Sequence, residues 1–283
     1  EFAIVENNDA FTLNQIIKDN LPGQVVHYEL ETTLGISSAR NHLLQISLRN
    51  KCDLTTFIDD DQVVAEDWLV ELFARQQLDN LDLTGGPVLM QPIPQHLSIL
   101  KRIMGRNIDN YRNKTAQKVA HQSTVNNDTS VIITTGNWMV SNAFLRKTGL
   151  RFDTNLGFAG GEDTVFFFEL CKQGGTAGWA PSSLTYEELP PSRLSLGYQY
   201  RRACDQTTHS FNPAARKVTI FFSIKTIISC LVKILRAVLL GLLIIPTGGA
   251  TLLKSVQIFG IAIGRIRGLL GKKSNHYQIV QGN

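Results

Sequence analysis

Apolar and polar positions alternate along the first part of the chain in a way that predicts strands separated by helices. Four short apolar runs are predicted to be strands, namely FAIV, VVHYEL, LTTFI and LTGGPVLM. Between them lie three longer segments with helical spacing, AFTLNQIIKDNL, SSARNHLLQISLRN and EDWLVELFARQQLD. Strands separated by helices of this length predict an α/β fold, an α/β/α sandwich with a mostly parallel sheet covered on both faces.

The same pattern predicts helix starts and buried faces. Ser37 or Ser38 is expected to cap the second helix, because a serine hydroxyl can accept a hydrogen bond from a free backbone N–H. In the third helix, Trp68, Leu72 and Phe73 are expected to face inward. Farther along, VIITTGNWMVSNAFLRKTG predicts a strand, a glycine-containing turn and a short helix.

Three adjacent aspartates, Asp59, Asp60 and Asp61, follow the third apolar run. Adjacent carboxylates repel one another, so they need either full solvation or a cation. A solvated acidic turn that caps the next helix is the alternative interpretation. In open α/β sheets ligands bind beyond the carboxyl ends of the strands, and the polar turns ENND, GISSARN and DDDQ all fall there. Their position favours a functional role.

A second acidic pair, Glu162 and Asp163, is predicted to start an apolar helix. Acids at a helix N-terminus are favourable by about 0.3–1 kcal/mol, so a capping role alone would also explain them. The two glycines before them suit either a ligand that approaches the backbone closely or a tight turn. The recurrence of acidic clusters in one chain favours function over capping.

Charge divides the chain of 283 residues near Ser210. Residues 1–210 hold 18 Lys and Arg against 24 acids, a net charge of −6, whereas residues 211–283 hold 10 Lys and Arg and no acid. We therefore expect a catalytic domain over 1–210 and a helical tail over 211–283. The chain opens directly on an apolar run with no signal-peptide pattern, and we expect that it lacks the first strand and helix of its domain.

The basic tail has the pattern of a helix in a membrane interface. Lys225, Ser229, Lys233 and Arg236 fall within about 80° on a helical wheel, with apolar residues around the remainder. The 17 residues Ala237–Leu253 carry no charge but contain Pro and Gly, so either a short span or a re-entrant hairpin is possible. A buried helical subdomain is the alternative, but a basic tail without acids favours an anionic membrane surface.

The order of motifs resembles the family 2 glycosyltransferases, whose nucleotide-binding fold is called GT-A. The resemblance covers roughly residues 2–206. The arrangement of the tail most resembles bacterial enzymes that build exopolysaccharide or other cell-surface glycans. The matching segments, in chain order, are IVENND, GISSARNHLL, FIDDDQVVAEDWL, TGNWMVSNAFLRKTG, FDTNLGFAGGEDTVFFFELCKQG and LPPSRLSLGYQYRRACDQ.

The resemblance implies a divalent cation, magnesium or manganese, on the outer aspartates of the triplet. Alternate residues leaving a strand point the same way, so Asp59 and Asp61 can both face one site. The resemblance assigns Asp61 to the metal and Asp59 to the donor's ribose or the metal, with Asp60 as a flanking donor-binding residue. Carboxylate oxygens by themselves indicate only a hard, oxygen-preferring ion.

The resemblance also implies contacts with a nucleotide-sugar donor. Glu6 stands where the family usually has an Asp that contacts the base. The basic segment near residue 200 matches the family segment that closes over the diphosphate, although a basic helix face toward lipid headgroups is an alternative. The further residues implied for the donor are Arg40, Asn41, Gly136, Asn137, Arg193, Arg201 and Arg202.

For catalysis the resemblance implies that Asp163 is the general base, with inversion at the anomeric carbon, and that Glu162 orients the acceptor or sugar. The expected acceptor is a saccharide or lipid-linked saccharide, and no nucleic-acid partner is expected. The expected location is the cytoplasmic face of a membrane, such as the bacterial inner membrane, with peripheral attachment or a short span in 237–264. Two alternatives remain, an inactive transferase-like membrane-bound binding module and a metal-dependent phosphoryl-transfer enzyme.

Overall fold

A computed structural model describes residues 1–122, 133–156, 161–210 and 220–272. The chain forms two compact units. The first comprises Glu1–Val88 and Ala116–Thr185, and the second comprises Leu89–Thr115 and Tyr186–Asn283. The second unit includes segments that precede the basic tail, and the predicted division near Ser210 stays a prediction.

Strands and helices alternate along the first unit, and the described part of the second unit is mostly helical. In chain order the elements are β1 (Phe2–Glu6), α1 (Asn14–Asn20), β2 (Val26–Leu30), α2 (Ile36–Arg49), β3 (Leu54–Phe57), β4 (Gln62–Val64), α3 (Trp68–Asp79), β5 (Leu83–Gly85), β6 (Val88–Met90), α4 (Ile99–Gln122), β7 (Trp138–Ser141), α5 (Asn142–Thr148), a 3-10 turn (Thr154–Leu156), α6 (Glu162–Lys172), β8 (Ala177–Trp179), β9 (Thr185–Glu187), α7 (Leu196–Ser210), α8 (Ile220–Leu242) and α9 (Leu252–Leu269).

The strands of the described ranges form three small sheets. β1 and β2 pair in parallel, with Phe2 opposite Val26. A four-stranded sheet has the order β3-β7-β5-β8, in which β7 is antiparallel to both β3 and β5, while β5 and β8 are parallel. The third sheet has the order β4-β9-β6. The α/β class is therefore confirmed, and the insertion of β7 between β3 and β5 makes the central sheet mixed.

The predicted strand LTGGPVLM is divided into β5 and β6 by Gly86 and Pro87. Proline has no backbone N–H for a strand ladder. A side chain at Gly86 could not fit, because a Cβ atom there would lie 2.4 Å from the carbonyl oxygen of Ser183. The break between β5 and β6 therefore occurs where the backbone at Gly86 lies close to the backbone at Ser183.

A cluster of aromatic side chains forms much of the core of the first unit. The rings of Phe152 and Phe166 stack with centroids 4.5 Å apart, and Trp138 meets Phe166 edge to face at 5.0 Å. Leu83 and Leu145 are fully buried in the same cluster. Because Phe166 belongs to α6 and Trp138 to β7, this core fixes the start of α6 against the end of the central sheet.

Two local predictions are wrong. α2 begins at Ile36 after Gly35, with no side-chain cap, and Ser37 is buried inside the helix, where its hydroxyl donates to the carbonyl of Asp153. The serine thus makes a tertiary contact instead of capping its own helix. In α3, Trp68 and Leu72 are buried as predicted, but Phe73 is 48% exposed because only one narrow face of the helix packs inward.

Close contact between helix backbones holds the second unit together. α9 packs against both α7 and α8. A Cβ atom at Gly264 would lie 2.3 Å from the carbonyl oxygen of Cys204, and one at Gly260 would lie 2.7 Å from that of Tyr200. The two glycines of α9 therefore let the backbone of α7 approach directly. In the described part of the chain, no helix combines the length and apolarity needed to cross a membrane.

Candidate active site

The aspartate triplet lies in the turn between β3 and β4. The carbonyl of Asp59 accepts a hydrogen bond from the Gln62 amide at 3.1 Å, and the Asp59 amide donates to the Gln62 side-chain oxygen at 3.2 Å. Asp59 and Asp61 are half-buried, whereas Asp60 is exposed. The triplet lies in a turn and not in an extended strand, so strand alternation does not explain how Asp59 and Asp61 point. These two outer aspartates are nevertheless less exposed than Asp60.

Arg40 joins the two acidic motifs. One guanidinium nitrogen lies 3.4 Å from Asp59 Oδ1, and the other donates to Glu162 Oε1. The side chains of Arg40 and Glu162 are only 14% and 8% exposed, so their ion pair is largely shielded from water. The same guanidinium lies 5.8 Å from the centroid of the Phe152 ring. The structure therefore brings the turn after β3 and the start of α6 into one site.

Asn41, the neighbour of Arg40, is used within the fold. Its side-chain nitrogen donates to the carbonyl of Phe152 at 2.9 Å, and its oxygen accepts from the Phe152 amide at 2.8 Å. These two bonds tie α2 to the segment that leads toward α6, so Asn41 helps to position Arg40 against Glu162. Its predicted contact with a donor stays a prediction.

Gly136 lies at the aspartate turn, while Asn137 points into the interior. Gly136 has φ +96°, and a Cβ atom there would lie 2.9 Å from Asp59 Oδ2. Asn137 is 1% exposed, accepts from the Trp68 indole at 2.8 Å, and donates to the carbonyls of Pro87 and Ser183. Asn137 thus holds the backbone behind the site, and the buried Gly136 packs directly against Asp59 and Gln62.

Asp163 has the electrostatic character of a proton acceptor. Its Oδ1 accepts hydrogen bonds from the amide of Thr164 at 2.6 Å and from the Thr164 hydroxyl at 3.3 Å. Burial raises the pKa of the Asp163 carboxyl, and the adjacent charge of Glu162 raises it further. A carboxylate whose pKa lies above the usual value accepts protons more readily, which a general base requires.

The first polar turn is held by Glu6 and Asn7. Glu6 accepts hydrogen bonds from the hydroxyl and amide of Thr12 and from the Tyr28 hydroxyl, and these bonds lower its pKa to about 2. Asn7 accepts from the Gly35 amide at 2.8 Å and so connects this turn with the start of α2. The carboxylate of Glu6 shapes the turn, and sequence reasoning did not single out Asn7.

In the second unit, arginines line a cavity of about 380 Å³. Arg193 and Arg202 are among its lining residues, together with Arg112, which sequence reasoning missed because it lies far away in the chain. Glu187 pairs with both Arg112, at 2.6 Å, and Arg193, at 3.3 Å. Arg201 is exposed and is not among the lining residues.

The aspartate turn has the donor atoms that a hard divalent cation prefers. Magnesium in nucleotide sites is commonly bound through one or two carboxylates, with substrate phosphates and water as its other ligands. Asp59 and Asp61 offer such a pair of half-buried carboxylates on one turn. Within the described ranges no group of three or more His, Cys, Asp or Glu is placed to hold a metal without a ligand's help. The residues present fit a cation that is bound together with its substrate.

Comparison with known proteins identifies relatives of the chain. A family model described as glycosyl transferase family group 2 matches residues 54–256. The succinoglycan biosynthesis protein ExoM of Rhizobium meliloti (strain 1021) is 30% identical over 208 residues, which make up 70% of this chain and 60% of ExoM. The chain thus spans less than two thirds of the length of that relative.

Among solved structures, two of S. aureus TarS are similar to this chain. One matches with a TM-score of 0.46 and 13% identity over 72% of this chain and 33% of that chain. The other, TarS 1-349 in complex with UDP, matches with a TM-score of 0.46 and 11% identity over 95% of this chain and 82% of that chain.

Proposed function

Because the chain belongs to glycosyl transferase family group 2, we propose that it transfers a sugar from a nucleotide-diphosphate donor to a saccharide or lipid-linked saccharide during synthesis of a surface polysaccharide. The predicted resemblance to family 2 glycosyltransferases is confirmed by the family match. The observation that carries the proposal is the Arg40 bridge, because one guanidinium contacts both Asp59 and Glu162.

The donor side of the site is formed by the turn after β3. Asp61, with Asp59, would hold a magnesium or manganese ion, which when bound offsets the negative charge that develops on the leaving diphosphate. Arg40 keeps Asp59 oriented through its 3.4 Å contact, and the absence of a side chain at Gly136 lets the side chains of Asp59 and Gln62 lie against its backbone. Glu6 and Asn7 hold the turn proposed to face the base.

The acceptor side is formed by the start of α6. Asp163 takes the proton of the acceptor hydroxyl as its oxygen forms a bond to the anomeric carbon. The bond between that carbon and the diphosphate breaks, so the electron pair leaves with the nucleoside diphosphate and the configuration inverts. Glu162 is 6% exposed, and its ion pair with Arg40 holds its carboxylate in place next to Asp163. In this position Glu162 would orient the acceptor or sugar.

The arginine-lined cavity of the second unit suits phosphate oxygens. A guanidinium can donate two parallel hydrogen bonds to a phosphate, and Arg193 and Arg202 both line this cavity. We propose that these two residues bind phosphate oxygens, the role that the family resemblance implies for them. Arg201, which is exposed and not among the lining residues, is left with the alternative role at a headgroup surface.

A phosphoryl-transfer enzyme with two metals is less well supported. Such a site needs carboxylates that share a pair of ions about 3.5–4 Å apart. Here the two acidic motifs are joined through the guanidinium of Arg40, which occupies the space between Asp59 and Glu162 with a positive charge of the protein's own. A guanidinium in this position favours separate roles for the two motifs, one at the donor and one at the acceptor.

Calorimetric titration of the chain with nucleotide sugars tests the proposal. We expect one nucleotide sugar to bind in the presence of magnesium or manganese and chelator to abolish that binding. Asp61→Asn should abolish the metal-dependent binding, whereas Asp67→Asn, an exposed acid on the same segment, should leave it intact. Donor affinity that survives both chelator and Asp61→Asn would contradict the metal assignment. Binding without transfer to any acceptor would favour a binding module.

A further inference from the structure

Helix α8 exposes a continuous apolar face. Its six defining residues follow one another at intervals of three or four positions and are each between 52% and 71% exposed. At 1.5 Å per residue the face is about 27 Å long. An exposed apolar surface of this length marks an interaction site, because soluble monomers rarely leave one uncovered. The residues of this face are Ile224, Ile228, Leu231, Leu235, Val238 and Leu242.

Packing against α9 fixes which side of α8 is exposed. Thr226, Cys230 and Ala237 are buried on the opposite sector. Ser255 of α9 donates to the carbonyl of Ala237 at 2.8 Å. These contacts hold the helix in one rotation about its own axis. The apolar face is therefore a surface that the second unit presents in a fixed orientation.

A basic sector borders the apolar face. Lys225 and Arg236 are exposed and Lys233 is half-buried. On a wheel of 100° per residue these three lie within about 80° of one another and next to the apolar face. No acid occurs anywhere in residues 211–283, so this sector has no anionic partner from its own segment. A helix with a buried side, an exposed apolar side and a basic border has the character of an interfacial helix.

We propose that α8 lies along the surface of an anionic lipid bilayer, with its apolar face among the acyl chains and Lys225 and Arg236 at the phosphate headgroups. The charge pattern selects a bilayer over a second copy of the chain. Two copies paired through this face would bring basic residues together without an acid in either tail to pair with them. Anionic headgroups supply the missing negative charge.

An apolar cavity beside the face supports a lipid occupant. It has a volume of about 480 Å³ and is lined by Tyr200 of α7, Val238 of the apolar face and Phe259 of α9. The lining offers few hydrogen-bonding atoms, so the cavity suits a hydrocarbon ligand. The proposal concerns attachment and does not depend on which reaction the first unit performs.

Co-sedimentation with vesicles tests the proposal with the full chain. The variant Leu231→Glu/Leu235→Glu places two charges on the apolar face, and both positions are 62% exposed, so the fold should be retained. We expect its partitioning onto vesicles of phosphatidylcholine and phosphatidylglycerol to fall at least about tenfold. The matched control is Leu78→Glu, an exposed leucine of α3, which should bind as the unchanged chain does.

A second variant separates charge from apolar insertion. Lys225→Gln/Arg236→Gln should weaken binding to the anionic vesicles but leave binding to pure phosphatidylcholine vesicles unchanged, and added salt should reproduce its effect. Circular dichroism confirms that each variant is folded. Equal sedimentation of the Leu231→Glu/Leu235→Glu variant and the unchanged chain would overturn the proposal. So would a folded chain that fails to bind vesicles and self-associates through this face, with the variant monomeric.

Discussion

Replacing Arg40 by glutamine should destabilise the first unit because it leaves a buried carboxylate without its partner. Glu162 is 8% exposed at its side chain and pairs with Arg40, whose side chain is 14% exposed. Removing one member of a buried ion pair costs about 3–5 kcal/mol. The second contact of Arg40, with the 41% exposed side chain of Asp59, adds little because solvent screens it.

A thermodynamic cycle isolates the ion pair. The variant Arg40→Gln/Glu162→Gln removes both charges, so it should regain much of the stability that Arg40→Gln loses. The control is Arg49→Gln, which lies on the same helix and breaks a surface pair at a 58% exposed arginine. We expect this control to change the free energy of unfolding by less than about 0.5 kcal/mol.

Tryptophan fluorescence during urea unfolding is the appropriate assay. The three tryptophans, Trp68, Trp138 and Trp179, all lie in the first unit, so their emission reports the unfolding of the unit that contains the site. A loss below about 1 kcal/mol for Arg40→Gln would show that Glu162 does not depend on Arg40 for its charge to be tolerated in the fold. A double variant no more stable than Arg40→Gln would show that the charge of Glu162 is not what Arg40 compensates.

Two further predictions concern packing and pH. Gly264→Ala should lower the free energy of unfolding by about 1–3 kcal/mol, because its Cβ would lie 2.3 Å from a backbone oxygen of α7, whereas Gly241→Ala, with its nearest atom at 3.7 Å, should be neutral or slightly stabilising. Calorimetric melting compares them, and equal melting temperatures would contradict the close contact. Asp163→Asn should stabilise the first unit at neutral pH, because the raised pKa means that the folded state disfavours the ionised carboxyl. This gain should shrink as the pH falls through the raised pKa toward the unfolded value of about 3.9, and a gain that is constant with pH would contradict it.

The sequence predicts much of the first unit because local signals there agree with the tertiary structure. α6 begins at Glu162 as predicted, since two acids after two glycines favour a helix start. Trp68 and Leu72 are buried as their helical spacing indicates. The direction of β7 could not be predicted, because its pairing between β3 and β5 depends on contacts distant in sequence.

Side-chain partners far apart in the chain are the least predictable part of the site. Arg40 matches a motif, but its pairing with both Asp59 and Glu162 depends on tertiary contacts between segments distant in sequence. Asn137 also matches a motif, yet three interior partners satisfy its amide and turn it away from the site surface. Arg112 has no motif around it and reaches its cavity only through the fold of the second unit.

We propose that the start of α6 performs proton transfer at a site whose donor side is the aspartate turn. The most direct test is transfer of a labelled sugar to a membrane acceptor, measured alongside donor binding for Asp163→Asn in the full chain. Asparagine fills nearly the same volume and can still accept the hydrogen bond from Thr164, but it cannot take the acceptor's proton. The matched control is Glu169→Gln, an acid on the outer side of the same helix.

We expect turnover by Asp163→Asn to fall by a factor of about 10²–10⁴ while donor affinity stays the same. Glu169→Gln should transfer sugar at the unchanged rate. Undiminished transfer by a folded Asp163→Asn protein would show that Asp163 is not the general base.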